Sequence, residues 1–191
     1  MGKTIVSAAL VHALKADYWK PIQAGGLDHT DSDVISELAG NRIGKIHPET
    51  FLLNTPASPH FAANIDGVSI SLGAFKIPET ENDLIIEGAG GLLVPLNEND
   101  TVLDLIRTLR TPLILVCRNY LGSINHTLLS VLAAKQAGVA VHGLIFFGER
   151  NDETERIILK KTGLNRLGGI YSSGMLDADS IMGVSDQFED I

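Results

Sequence analysis

Two hydrophobic rhythms alternate along the chain. Residues 5–14 set Ile5, Ala8, Ala9, Val11 and Leu14 on a helical period, with His12 among them. Residues 18–26 read as a strand whose end is broken by Pro and Gly, and residues 34–38 as a helical run closed by Gly40. Residues 51–53 and 84–86 are short apolar runs of strand type, and 102–109 is a helix. Strand 113–117 starts after Thr111-Pro112, and the loop 119–122 leads to Ser123, read as the cap of a long helix through Gln136 that Gly138 stops. Strand 141–147, a polar-faced helix at 151–162 and strand 167–171 complete the series. Residues 67–82 yield no element, and the polar tail after Tyr171 is left without one. Strands apolar on both faces, alternating with helices, predict an α/β fold: a parallel sheet covered by helices on both faces. With no internal repeat and no linker-like shift in composition, residues 1–191 are expected to form one domain.

Bulk composition removes several classes of function. The formal net charge of −8 opposes nucleic-acid binding, which needs a basic face, and gives no hold on anionic membrane. No apolar run approaches the about 18 residues of a membrane span, and the N-terminus lacks a signal-peptide layout. The one cysteine, Cys117, cannot form an internal disulfide and reads as a buried core thiol, compatible with a reducing cytoplasm.

Candidate chemistry gathers where strands end. The run at 84–86 leads into Glu87 and then Gly88-Ala89-Gly90-Gly91, placing a carboxylate beside backbone that a ligand can approach closely. Gly2-Lys3-Thr4 heads the first helix and matches the last third of a P-loop, in which the lysine reaches the β/γ-phosphates and the hydroxyl binds Mg²⁺. Lys20, near a strand exit, can act as a point charge in a phosphate crevice or as a surface lysine. Thr30, Asp31 and Ser32 can cap a helix, or an aspartate there can face a divalent cation. His60 has no second metal ligand nearby in sequence and reads as a hydrogen-bonded loop histidine.

Gly-Lys-Thr at 2–4, Lys-Pro-Ile-Gln-Ala-Gly at 20–25, Ile-Ile-Glu-Gly-Ala-Gly-Gly at 85–91 and Leu-Gly-Ser-Ile-Asn-His at 121–126, in this order, resemble the dethiobiotin synthetase family of MinD-like P-loop ATPases over nearly the whole chain. The resemblance implies a P-loop NTPase type of fold and an ATP-dependent carboxylation of 7,8-diaminononanoate by CO₂ or bicarbonate. A carbamate and a carbamic–phosphoric anhydride lead to the cyclic urea. It also implies Mg²⁺, a cytoplasmic location and a homodimer. Residue by residue, it gives Lys20 the catalytic role and Gly2, Lys3 and Thr4 the phosphates. Thr4, Asp31 and Glu87 take the metal, with Asp33 as an alternative to Asp31. Gly88, Ala89 and Gly90 lie against the nucleotide, and Ser58, Gly122 and Asn125 meet the substrate.

Four positions depart from the family pattern. A strand and the first half of the P-loop precede Val/Ile-Gly-Lys-Thr in the family, and Met1 stands at the Val/Ile position. The expected sheet therefore lacks its first strand, leaving unpaired ladder groups on both neighbours, and the natural start is expected upstream of Met1. A chain that truly began there would bind ATP weakly and show no turnover. Phe147 stands where an adenine-reading Asn is common, and Tyr171 where a Pro follows Ile. Aromatics there can stack on a base but not read it as an amide does. Ala24 replaces a frequent hydroxyl. The competing readings are a non-catalytic nucleotide-binding or structural remnant of the same family, and an amidotransferase-linked synthetase, for whose glutaminase domain no residues remain.

Overall fold

Residues Lys3–Leu14 wind into helix α1 in the computed structural model, which describes residues 2–40, 43–172 and 176–191. Met1, on which the expected upstream start bears, lies outside the described residues. Val6, Ala8, Ala9, Leu10 and Val11 of α1 are buried, as befits a helix apolar nearly all round and enclosed by its neighbours. His12 is buried with them, its Nδ1 3.1 Å from the Ala39 carbonyl oxygen.

The strands are β1 (Asp17–Trp19), β2 (Ile22–Ala24), β3 (Ile46–His47), β4 (Phe51–Leu53), β5 (Leu84–Ile86), β6 (Leu113–Arg118), β7 (Val141–Gly148) and β8 (Arg166–Tyr171). Each ladder between them is parallel, as expected, but the ladders form three groups: β3-β1-β5, β2-β4 and β6-β7-β8. β5 and β6 are the outer strands of the two larger groups and, among the described residues, share no ladder. Ile85 of β5 and Ile114 and Val116 of β6 nevertheless pack against the same cluster as α1.

The strand expected over 18–26 is two strands in two sheets. Pro21 carries no N–H to give a ladder, so pairing stops at Lys20-Pro21. The Pro21 carbonyl instead accepts the N–H groups of Thr50 and Phe51, which hands β2 over to β4.

Helices α2 (Asp31–Ala39), α3 (Pro59–Asp66), α4 (Val102–Leu109), α5 (Ser123–Gln136), α6 (Asp152–Thr162) and α7 (Ala178–Ser185) cover both faces. Strand alternation decides which side chain goes where. Tyr18, Ile85, Ile145 and Phe147 point to the cluster of α1, α2 and α7. Trp19, Leu84 and Ile86 meet α3 and α4, while Leu144 and Phe146 meet α5 and α6. Each aliphatic or Phe side chain fully buried in this way contributes about 1.5–3 kcal/mol.

Three further expectations need correction. The tail holds α7 and a 3-10 turn, Asp186–Phe188, because Ile181, Val184 and Phe188 recur at helical spacing and dock on the α1 cluster. Ser123 does not cap α5: the cap is Gly122, at a left-handed φ of 104°, and the Ser123 hydroxyl makes no cap bond. Residues 67–82 carry a 3-10 turn, Leu72–Ala74, between buried Ile70 and Phe75, and Phe75 packs edge-on against Phe51.

Candidate active site at the strand ends

Lys20 follows β1 and Glu87 follows β5, and the β1–β5 register pairs Tyr18 with Ile85 and Trp19 with Ile86. One pleat beyond Tyr18 and Ile85, Lys20 and Glu87 therefore emerge side by side on the face that α1 covers. Both are buried, at 5% and 3% exposure. Lys20 Nζ donates to Glu87 Oε1 at 3.2 Å and forms a close ion pair with Asp31 Oδ2. Asp31 opens α2 and remains one-third exposed, so the cluster has an outlet to solvent.

α1 brings the fourth group. Thr4 Oγ1 lies 3.0 Å from Glu87 Oε1 and 3.2 Å from Asp31 Oδ1. A hydroxyl has one proton and can donate to only one of them at a time. Each of the four carboxylate oxygens has a donor in Lys20, Thr4 or Tyr18, and the two carboxylates compete for the single Thr4 proton. Lys3, in the next position, is within electrostatic reach of Glu87, Lys20 and Asp31; burial pushes its ammonium below the ordinary lysine value, while the Glu87 charge opposes that shift. No acidic residue lies in the first turn of α1 and no side chain caps it, leaving its positive dipole end available to an anion.

A capping box separates Asp33 from Asp31. Asp33 Oδ2 accepts from the Thr30 N–H and hydroxyl, and Thr30 Oγ1 accepts from the Asp33 N–H. Asp33 thus closes the helix start, and Asp31 faces Thr4 and Lys20. Capping and contact with the Lys20 cluster thus fall to different residues of this segment.

After Glu87 the chain turns through Gly88, Ala89 and Gly90, where Gly90 takes a φ of 73° that a side chain would strain. Ser58 stands at the N-cap position of α3 without a side-chain cap bond and pairs with His60, Oγ to Nδ1 at 3.1 Å. Gly122 and Asn125 sit exposed at the head of α5. Among the described residues, no hydrogen bond or ion pair ties Ser58, Gly122 or Asn125 to the Lys20 cluster. Two departures from the family pattern are engaged within the fold. The Phe147 ring lies against Gly2, where an added Cβ would come 2.4 Å from Cδ1. Tyr171 donates to buried Glu155 at 2.6 Å and has the Arg150 guanidinium 5.5 Å above its ring.

Tyr18 was not singled out from the sequence, where it reads as an apolar strand residue. It is fully buried and donates to Glu87 Oε2 at 3.1 Å. Its two-residue spacing from Lys20 was the available signal.

A family described as an AAA domain matches residues 1–179. An ATP-dependent dethiobiotin synthetase of Cytophaga hutchinsonii is 55% identical over 163 residues, covering 85% of this chain and 79% of that protein. One from Christiangramia forsetii is 46% identical over 188 residues, covering 98% and 90%. A solved ParA family ATPase from Chlorobium tepidum TLS covers 98% of this chain and 90% of its own at 15% identity and a TM-score of 0.48. The chain belongs to the dethiobiotin synthetase family.

Proposed function

We propose that the chain is an ATP-dependent cyclo-ligase that converts 7,8-diaminononanoate and CO₂ into dethiobiotin, acting as one P-loop ATPase-like domain. The observation that carries this reading is the meeting of Thr4, Lys20, Asp31 and Glu87, from four separate segments, within hydrogen-bond reach of one another.

CO₂ adds to one substrate amine with loss of a proton, giving a carbamate. A carbamate oxygen attacks the γ-phosphorus of ATP and ADP leaves. The second amine then attacks the activated carbonyl carbon and expels phosphate, closing the urea ring. Carbamate and triphosphate are both anionic, so their approach depends on preorganised positive charge. Lys20, buried and held between two carboxylates, has the position to stabilise the carbamate and the transferring phosphoryl group. Lys3 and the α1 N-terminus, capped by Gly2, take the β/γ-phosphates beside it. Gly88, Ala89 and Gly90 border the nucleotide.

Thr4, Asp31 and Glu87 would hold Mg²⁺. Their oxygens are hard donors gathered at one point, and two carboxylates with one hydroxyl form the incomplete set that Mg²⁺ completes with water and phosphate. When bound, the ion neutralises charge on the phosphate oxygens.

Ser58, Gly122 and Asn125 are assigned to the diamine and its carboxylate tail. The exposed apolar side chains Leu121, Ile124, Leu129 and Leu132 at and after the head of α5 support a homodimer through that helix. A cytoplasmic location fits the buried, unpaired Cys117, whose thiol burial pushes up to about 11.

The test is incubation with the diamine, bicarbonate, Mg²⁺ and ATP, with mass-spectrometric detection of dethiobiotin. Product is expected only when all four are present; its absence from a chain that binds ATP rejects the ligase reading and leaves a nucleotide-binding protein.

A further inference from the structure

Tyr18 is the only side chain besides Thr4 and Lys20 that hydrogen-bonds the Glu87 carboxylate among the described residues. Its ring sits in an otherwise apolar cluster with Val6, Ala9, Val11, Ile35 and Ile145, where a phenylalanine would fit as well. The hydroxyl is therefore not explained by packing. It is fully buried, one pleat below Lys20 on the same face, and donates to Oε2. Lys20 and Thr4 both address the other oxygen, Oε1. The two carboxylate oxygens thus have separate partners: Oε2 has Tyr18, from the apolar cluster, and Oε1 has Lys20 and Thr4.

We infer that Tyr18 is a positioning residue for the reaction, one that fixes the rotation of the Glu87 carboxylate so that Oε1 is presented to the cation and phosphates. The inference rests on the ligase reading above, in which Glu87 is a cation ligand. A tyrosine phenol keeps its proton at neutral pH, so Tyr18 serves Oε2 as a donor there. With the hydroxyl gone, Oε2 has no donor and the carboxylate is free to turn. Groups that orient a metal ligand in this way typically affect metal affinity or activity by 10–100-fold.

A double-mutant cycle tests this. Free Mn²⁺ is measured by electron paramagnetic resonance in the presence of ATP for the parent, Tyr18→Phe, Glu87→Gln and the double variant, with dethiobiotin formation followed as a function of Mg²⁺. Tyr18→Phe should weaken Mn²⁺ binding on the order of tenfold and raise the half-saturating Mg²⁺ to match, with kcat largely recovered at saturating Mg²⁺. In the Glu87→Gln background, the same substitution should change Mn²⁺ binding little, because its effect passes through that carboxylate. Equal losses in both backgrounds, or parent-like behaviour of Tyr18→Phe, overturn the positioning role while leaving the ligase reading intact. A parent that neither binds Mn²⁺ with ATP nor forms product removes both together. A Tyr18→Phe protein whose weakened binding follows a lowered melting temperature without ligand also counts against the inference.

Discussion

β1 carries a buried charged group at each end, and the two ends are built on opposite principles. At its start, Asp17 is 1% exposed and saturated with donors. Its Oδ1 accepts from the Lys45 N–H at 2.8 Å and from Asn82 Nδ2 at 2.9 Å, and its Oδ2 lies 2.8 Å from His47 Nε2. Gly44 passes so close that an added Cβ would come within 2.2 Å of Oδ1. At the other end, just beyond β1, Lys20 shares Asp31 and Glu87 with a Thr4 hydroxyl that has one proton for two carboxylates. The first cluster is a single carboxylate held by neutral donors and a histidine. The second sets an ammonium and a hydroxyl between two carboxylates and opens to solvent through Asp31. A carboxylate ringed by local donors holds a fold, whereas charges of both signs gathered from separate segments beside an opening can exchange partners with a ligand.

The largest separation between the two ends is expected from Lys20→Gln. Without the ammonium, the developing charge on carbamate and phosphoryl loses its fixed counter-charge. Dethiobiotin formation should fall by about 10²–10³-fold or more, the range seen for removal of a single transition-state donor. Tyr18 and Thr4 still donate to Glu87, so the circular dichroism spectrum should match that of the parent. A turnover number close to the parent's would remove Lys20 from its assigned role.

Asp17→Ala should do the reverse. It takes the acceptor away from the Lys45 N–H, the Asn82 amide and the buried His47 ring, at a cost of about 1–3 kcal/mol in chemical denaturation. The protein that remains folded should retain the parent's kcat. Burial alone would raise the Asp17 carboxyl, but the hydrogen bonds from Asn82, Lys45, His47 and Thr80 outweigh it and hold the folded value well below the ordinary 3.8. The unfolded chain therefore binds this proton more readily. The stabilisation is complete above the unfolded value and is withdrawn as pH falls toward the folded one. Melting temperature measured below about pH 4 should thus decline more steeply for the parent than for Asp17→Ala. Equal slopes would remove Asp17 as a source of acid sensitivity.

The same contrast explains what could be read from the residues. Lys20 and Glu87 stood out because charged side chains ending apolar runs are conspicuous, and the resemblance supplied their pairing. Their alignment across β1 and β5, however, depends on register, which no local pattern contains. Tyr18 stayed hidden because its ring satisfies the apolar pattern and only its hydroxyl serves the site. Asp17 and His47 were missed because their partners lie 30 residues apart in a loop-rich stretch. In the fold, the parallel pairing and helices α1, α2, α4, α5 and α6 were legible from periodicity. The split at Pro21 and helix α7 were not: one breaker within a single apolar run gave two strands in different sheets, and polar residues between Ile181, Val184 and Phe188 masked an apolar face.

The smallest expected effect bears on the two aspartates at the head of α2, where both principles meet within three residues. Asp33 is satisfied locally: the Thr30 hydroxyl and N–H hold its carboxyl below the ordinary value, and its partners all lie within the helix start. Asp31 reaches out of the helix to Thr4 and Lys20. Asp33→Ala should therefore lower the melting temperature slightly and leave kcat and the half-saturating Mg²⁺ unchanged. Thr30→Ala, which removes the cap itself, should cost about 0.5–2 kcal/mol. Asp31→Asn should leave the capping box intact and raise the half-saturating Mg²⁺ on the order of 10-fold or more. Steady-state kinetics over a Mg²⁺ series distinguishes the three variants. If Asp33→Ala shifted the Mg²⁺ dependence as far as Asp31→Asn, the head of α2 would be acting as one unit, and the division between a satisfied and an available carboxylate would not extend to neighbouring residues.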